Sequence, residues 1–175
     1  WYGNDDPNMV AYTPVYCSAT KEPECYNPKD ADGVTFSWNS AFWIENWVAN
    51  MVYPRYSQLF PSLKKARQEL EDKYAAQQAQ IENKAQMLLK EDPARAKAYL
   101  TDYSAECAQT MMQRWKKLGE YLIVKFNDQA IKPEKNEKFE LTPDGLGKAV
   151  ERPGFNESFR KVIINETGDK YLIPE

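Results

Sequence analysis

The sequence predicts an α+β protein in which short antiparallel strands accompany a long antiparallel helical hairpin. Two observations support this prediction. Apolar residues recur at helical spacing along two long stretches of residues 61–126, and the turn signal Asp92-Pro93 lies between these stretches. Residues 9–16, MVAYTPVY, are instead rich in the β-branched and aromatic types that are typical of strands.

The size and charge of the chain indicate one domain and exclude two classes of partner. We expect residues 1–175, with a mass of 20.3 kDa and 42% hydrophobic residues, to form a single domain or a portion of a longer protein. The net charge is −3, and its acids and bases are interspersed, so the chain offers no basic surface to nucleic acid. No run approaches the roughly 20 uncharged apolar residues that cross a bilayer, so we expect no membrane span.

We expect strands within residues 1–16. The turn signal of residues 4–8, NDDPN, separates the first three residues from residues 9–16, which predicts a β-hairpin. Pro14 cannot donate a ladder hydrogen bond, so the second strand should lie at an edge. Asp5 and Asp6 in this turn are interpreted as solvated side chains, and Pro-rich residues 18–33 as an irregular loop.

Residues 37–126 should be the helical part. A helical pattern starts at Ser37, and the candidate caps of this first, largely buried helix are Ser37, Asn39 and Ser40. Pro54 should kink or end the helix. Pro61 should open a second, amphipathic helix that continues to about residue 90, and Asp92-Pro93 should cap a third. For residues 127–175 we predict an irregular connector followed by a terminal hairpin, whose two strands flank residues 166–169.

The complete absence of histidine restricts the chemistry of the chain. Ser-His or Cys-His catalysis and histidine-containing metal sites cannot be completed by these residues alone. We expect no metal site and no cofactor. Cys17 and Cys25 lie close together in a loop and could form a disulfide if the protein is exported, whereas both would be free in the cytoplasm. Cys107 is interpreted as a small core residue.

The stretch FSWNSAFWIENWVANMVYPRY, residues 36–56, combines aromatic rings with several amides. A buried amide without a partner costs about 1–3 kcal/mol. Asn39, Asn46 and Asn50 must therefore be satisfied by capping or by neighbouring backbone, or must face a ligand pocket. Both alternatives remain open from the sequence.

This stretch and its flanks resemble a known family. Residues 36–61 are preceded by YTPVYCSATKEPECY and followed by a helix that contains RQELEDKY. The pattern is similar to the C-terminal part of the cysteine dipeptidases related to dipeptidase A of lactic-acid bacteria. The elements that carry the resemblance are residues 14–16, 23–26, 40–46 and 53–57. Beyond Asp92, only helical character and LGEYLI are similar.

The resemblance implies an N-terminal-nucleophile hydrolase with a four-layer αββα sandwich. In this class an N-terminal cysteine attacks the peptide carbonyl, and its own α-amino group acts as the base, so no histidine is needed. Position 1 is Trp1, and none of the three cysteines lies at a plausible mature N-terminus. We therefore expect the nucleophile upstream of Trp1, and we expect these residues alone to be an inactive C-terminal fragment.

The dipeptidase hypothesis also implies the site residues and the partners. The substrate-facing wall would be drawn from Trp38, Asn39, Ser40, Asn46 and Asn50. The partners would be a dipeptide substrate and the missing N-terminal part of the same protein, in the periplasm or outside the cell, with the cytoplasm as the alternative. Two other readings stay open: a non-enzymatic helical interaction module, and an acylase or amidase of the same superfamily.

Overall fold

The structure, a computed structural model, describes residues 1–148 and 157–167. The chain divides into two compact units, Trp1–Leu122 and Ile123–Glu175. The helices are α1 (Ala41–Val52), α2 (Tyr56–Glu91), α3 (Pro93–Phe126) and α4 (Glu157–Thr167), and the strands are β1 (Glu134–Lys135) and β2 (Lys138–Phe139). Short 3-10 helices lie at Glu24–Tyr26, Pro28–Asp30, Tyr53–Arg55 and Asn127–Gln129.

Residues 1–16 contain one isolated bridge in place of the predicted strands. Tyr2 and Thr13 exchange backbone hydrogen bonds of 2.8 and 2.9 Å in an antiparallel pair. The next hydrogen-bonded pair of such a ladder would join Asn4 to Ala11. The Asn4 N–H instead donates to the Glu45 carboxylate at 3.1 Å, so the ladder stops after one pair.

Helix α1 begins at Ala41, directly after Ser40, which is one of the three predicted candidate caps. Ser40 is extended, with φ −92° and ψ 128°, and its N–H donates to the Ser37 carbonyl at 3.3 Å, which makes residues 37–40 a turn. Pro54 lies in the 3-10 turn Tyr53–Arg55 and ends α1, as predicted. The side of α1 that faces the core is formed by Ala41, Ile44, Glu45, Val48, Ala49 and Val52.

Helix α2 begins at Tyr56, so the prediction that Pro61 opens it was wrong. Pro61 lies inside the helix, where its missing N–H removes one backbone hydrogen bond. The predicted boundary between α2 and α3 is confirmed. Asp92 is extended, and its Oδ1 accepts from the N–H groups of Ala94 and Arg95 at 2.9 and 3.3 Å.

Helices α2 and α3 run antiparallel and contribute most of the large side chains of an apolar core. The Tyr74 hydroxyl donates to the Cys107 carbonyl at 2.9 Å, and Arg114 Nη2 lies 3.0 Å from Glu69 Oε2. The largest buried apolar side chains of the first unit are Trp115, Tyr74, Met9, Ile44, Leu63, Met111, Leu118 and Leu122. Although α2 and α3 are long, within the described ranges we find no helix that is apolar over enough of its length to span a membrane.

The second unit contains a small hairpin. Strands β1 and β2 pair antiparallel, and Glu134 lies opposite Phe139. The two turn residues between the strands, Asn136 and Glu137, both have positive φ, of 52° and 61°, as a tight hairpin turn requires. Because β1 and β2 lie within residues 127–148, this part of the predicted connector is more regular than expected.

The predicted terminal hairpin is also corrected. Residues 160–165, which were predicted as a strand, belong to helix α4. An ion pair between Lys161 and Glu157, with 2.9 Å between Nζ and Oε1, joins adjacent turns of this helix, and Glu157 lies in its first turn, where an acid is favourable. The second predicted strand lies outside the described residues.

Gly119 of α3 lies directly against the ring of Trp47 in α1. A Cβ atom at this position would lie 2.2 Å from Cζ3 of Trp47, whose ring also packs edge-on against Trp38. We predict that Gly119→Ala destabilises the protein by about 1–3 kcal/mol, as overpacking does, although alanine is the better helix former. The measurement is chemical denaturation followed by circular dichroism.

The control is the same substitution in a Trp47→Leu background. Leucine lacks the distal ring atoms, so Gly119→Ala should there become neutral or stabilise the helix by up to about 1 kcal/mol. An equal loss of stability in both backgrounds would contradict the proposed contact with Trp47.

Candidate functional site

The turn at residues 4–8 lies against α1 and brings polar side chains together. We call this group the acid–amide cluster. Its members are Asn4, Asp5, Asp6, Glu45, Asn46, Asn50 and Tyr53, which are joined by the hydrogen bonds described below.

The amides of α1 connect the turn to the helix surface. Asn46 Nδ2 lies 3.5 Å from Asp5 Oδ2, at the limit of a hydrogen bond. Asn50, one helical turn later, donates its Nδ2 to the backbone and side-chain oxygens of Asn46 at 2.9 and 3.0 Å. Asn50 is exposed, and its Oδ1 accepts no hydrogen bond from the described residues. The cluster therefore presents a positioned but unused acceptor at the surface.

Asp6 stabilises the turn and remains ionised. Its Oδ1 accepts the Asn8 N–H at 2.8 Å, and its Oδ2 accepts the Tyr53 hydroxyl. These two hydrogen bonds, first that of Tyr53, lower the pKa of Asp6. The same contact raises the pKa of Tyr53 to about 12, since the hydroxyl proton is held by the carboxylate. Tyr53 thus stays protonated and holds the turn on the end of α1.

Glu45 has the opposite environment, because its side chain is completely buried. Its Oε2 accepts the Asn4 N–H at 3.1 Å, whereas its Oε1 has no partner among the described residues. Burial raises the pKa of Glu45 to about 8, the nearby Asp5 carboxylate adds to this increase, and the Asn4 hydrogen bond opposes it. Burial also raises the pKa of Asp5. The cluster therefore contains an acid that is largely protonated at pH 7.

The structure places only two of the five predicted site residues in this cluster, namely Asn46 and Asn50. Trp38 is 51% exposed and contacts the rings of Phe36 and Trp47. The backbone N–H of Asn39 donates to the Ser37 hydroxyl. Ser40 is buried, and its hydroxyl has no partner among the described residues. Among the described residues, no hydrogen bond joins these three positions to the cluster.

Sequence reasoning missed the acids of the cluster. Asp5 and Asp6 look like solvated turn residues, and only their contacts with Asn46 and Tyr53, more than 40 residues away, show otherwise. The burial of Glu45 could have been predicted from the sequence, since Glu45 lies four residues after Ala41 and three before Val48. These spacings place it on the buried stripe of α1, where a carboxyl group is unusual.

The three cysteines are free thiols in the structure, which therefore shows no disulfide between Cys17 and Cys25, one of the two alternatives that the sequence left open. Cys17 is exposed, whereas Cys25 and Cys107 are buried. Burial raises the pKa of both buried thiols to about 11, which keeps them protonated and unreactive at neutral pH. Across residues 1–148 and 157–167, no three or more Cys, Asp or Glu side chains are grouped so that they could hold a metal ion.

Comparison with known proteins relates the first part of the chain to a peptidase family. Residues 1–69 match the model of Peptidase family C69. The match covers less than half of the 175 residues, but it contains the whole acid–amide cluster, and it supports a peptidase function. No curated protein and no solved structure matches the chain.

The raised pKa of Glu45 predicts an unusual dependence of stability on pH. Between its ordinary value of 4.5 and about 8, the folded protein holds a proton that the unfolded chain releases. The free energy of unfolding should therefore fall as pH rises through this window, by at most about 1.4 kcal/mol per pH unit, and level off above it. Glu45→Gln should remove most of this slope in denaturation series from pH 5 to pH 8.

Glu91→Gln is the matched control, because Glu91 is an exposed acid at the end of α2. This variant should keep the wild-type slope. Identical slopes for wild type and Glu45→Gln would show that Glu45 ionises normally in the folded protein.

Proposed function

We propose that this chain is the C-terminal portion of a cysteine dipeptidase. The observation that carries the proposal is the match of residues 1–69 to Peptidase family C69. The resemblance of residues 36–61 to the dipeptidases supports the narrower substrate class. For the complete protein we propose the αββα sandwich of N-terminal-nucleophile hydrolases, to which the missing N-terminal part would contribute.

The proposed reaction is thiol acyl transfer. The thiolate of an N-terminal cysteine attacks the carbonyl of the dipeptide, and the α-amino group of the same cysteine takes the thiol proton. The C–N bond breaks, this proton passes to the leaving amino acid, and water then hydrolyses the thioester to release the first amino acid. The mechanism needs no histidine, which this chain lacks.

We place the nucleophile outside these 175 residues, because none of their cysteines has the required environment. The thiols of Cys25 and Cys107 are buried and hold their protons. Cys17 is exposed, but no hydrogen bond to its side chain is seen from any described residue, so no base is positioned to activate it.

Within the proposed enzyme, the acid–amide cluster would contribute a polar wall. Asn50 is the member best placed to touch a substrate, since it is exposed and its Nδ2 is fixed by Asn46 while its Oδ1 remains unused. A carboxamide oxygen accepts hydrogen bonds from N–H groups, which a dipeptide carries at its peptide bond and its ammonium group. Glu45 is buried, so it would hold the cluster together through Asn4 and would not touch the substrate.

The complete gene product should hydrolyse unprotected dipeptides, with amino acid release as the measurement. Replacing its N-terminal cysteine by Ala should lower kcat by several orders of magnitude, as loss of a nucleophile does. Cys17→Ser, Cys25→Ser and Cys107→Ala, made one at a time, should each keep the wild-type kcat in protein that remains folded. Loss of kcat in folded Cys17→Ser, or its retention without the N-terminal thiol, would overturn the assignment. No hydrolysis by the complete protein would favour the helical interaction module.

Asn50→Ala in the complete protein tests the polar wall. The free energy of unfolding should change by no more than about 0.5 kcal/mol, since Asn50 is exposed and bonds only within its own helix. The value of kcat/KM should fall about five- to tenfold, which corresponds to the loss of one hydrogen bond of about 1 kcal/mol.

Asn83→Ala provides the matched control for this variant, because Asn83 is an exposed amide on α2 outside the cluster. It should keep the wild-type kcat/KM and change the free energy of unfolding by no more than about 0.7 kcal/mol, the difference in helix propensity between asparagine and alanine. If Asn50→Ala instead lost stability and kept its kcat/KM, Asn50 would be a structural residue only.

A further inference from the structure

A small cavity of the first unit lies between the N-terminal segment and helices α2 and α3. It has a volume of about 120 Å³, more than a single water molecule requires. Four aromatic side chains border it, namely Trp1, Tyr16, Tyr74 and Tyr103, and we call it the aromatic cavity. None of the described residues that line it is Lys or Arg.

The rings of the aromatic cavity form two tilted pairs. Trp1 and Tyr74 have ring centroids 6.4 Å apart at an angle of 51°, and Tyr16 and Tyr103 have centroids 6.3 Å apart at 55°. The faces of aromatic rings carry partial negative charge and attract cations. Because four aromatic residues and no Lys or Arg side chain line the cavity, we expect it to favour a cationic guest over a neutral one.

One carboxylate increases this preference. Glu82 Oε1 accepts from Gln78 Nε2 at 2.8 Å and from the Tyr16 hydroxyl at 3.4 Å. No described residue donates a hydrogen bond to Glu82 Oε2, so this carboxylate oxygen remains available to a ligand in the cavity. The aromatic cavity thus combines four aromatic side chains with one unused carboxylate oxygen.

We propose that the aromatic cavity binds the ammonium head of a small organic cation. The same chemistry serves a free quaternary ammonium compound and the primary ammonium group of a lysine side chain in a peptide. The proposal rests on Glu82 and the four rings, and it does not depend on the proposed dipeptidase activity.

Isothermal titration calorimetry of the chain with paired probes tests the proposal. Choline is compared with 3,3-dimethylbutan-1-ol, which has a similar shape without the charge, and Nα-acetyl-lysine amide with Nα-acetyl-norleucine amide. We expect at least one cation to bind more tightly than its neutral partner. Binding of choline alone assigns a free quaternary ammonium ligand, and binding of the lysine amide alone assigns a peptide side chain. No binding of either cation at millimolar concentration, or equal binding of charged and neutral partners, would overturn the proposal.

Two variants place the binding in the aromatic cavity. Glu82→Gln keeps the shape and removes the charge, and Tyr16→Leu removes a ring, so each should weaken cation binding by roughly two- to fivefold or more. Glu91→Gln, outside the cavity, should keep the wild-type affinity. Should Glu82→Gln bind the cation as tightly as Glu91→Gln does, the site lies elsewhere and the proposal fails, whether or not Tyr16→Leu folds.

Discussion

The first unit depends on the hydrogen bond from the Tyr74 hydroxyl to the Cys107 carbonyl. The two oxygens lie 2.9 Å apart, and Tyr74 is only 2% exposed. A buried hydroxyl that loses its partner costs about 1–3 kcal/mol. Helices α2 and α3 therefore cannot slide along each other without leaving this hydroxyl unsatisfied. This hydrogen bond favours one register of the two helices. That register places the side chains of the core around Trp115 and those of the aromatic cavity beside Tyr74.

The N-terminal segment takes many of its hydrogen bonds from this helical pair. The backbone N–H of Tyr12 donates to Glu71 Oε1 at 3.1 Å, and that of Tyr16 donates to the Ser104 hydroxyl at 3.3 Å. Backbone satisfied in this way needs no neighbouring strand. Residues 9–16 consequently have the buried, β-branched and aromatic composition of a strand without being one. Local sequence cannot reveal this difference, because the partners are side chains 59 and 88 residues away.

The helices were largely predictable because their signals are local. Asp92 and Pro93 form a cap whose contacts span only three residues, and the apolar periodicity of α2 and α3 lies within each helix. The acid–amide cluster was predictable only in part. Asn46 could be singled out from the sequence, because it is an amide among aromatic residues. Whether Asp5 is a solvated turn residue or a partner of Asn46 depends on packing across 41 residues, which one sequence does not encode in any local pattern.

Two acids of the cluster, Asp6 in the turn and Glu45 on α1, are held in opposite protonation states by different environments. Asp6 accepts two hydrogen bonds, which lower its pKa, whereas Glu45 is buried with one oxygen unpartnered, which raises its pKa to about 8. Separation of this kind between neighbouring acids is common at functional sites, although structural networks also produce it. The burial of Glu45 indicates that its role is structural. Because Glu45 is completely enclosed, its proton controls how firmly Asn4 is held on α1, and any contact with a ligand falls to the exposed members of the cluster.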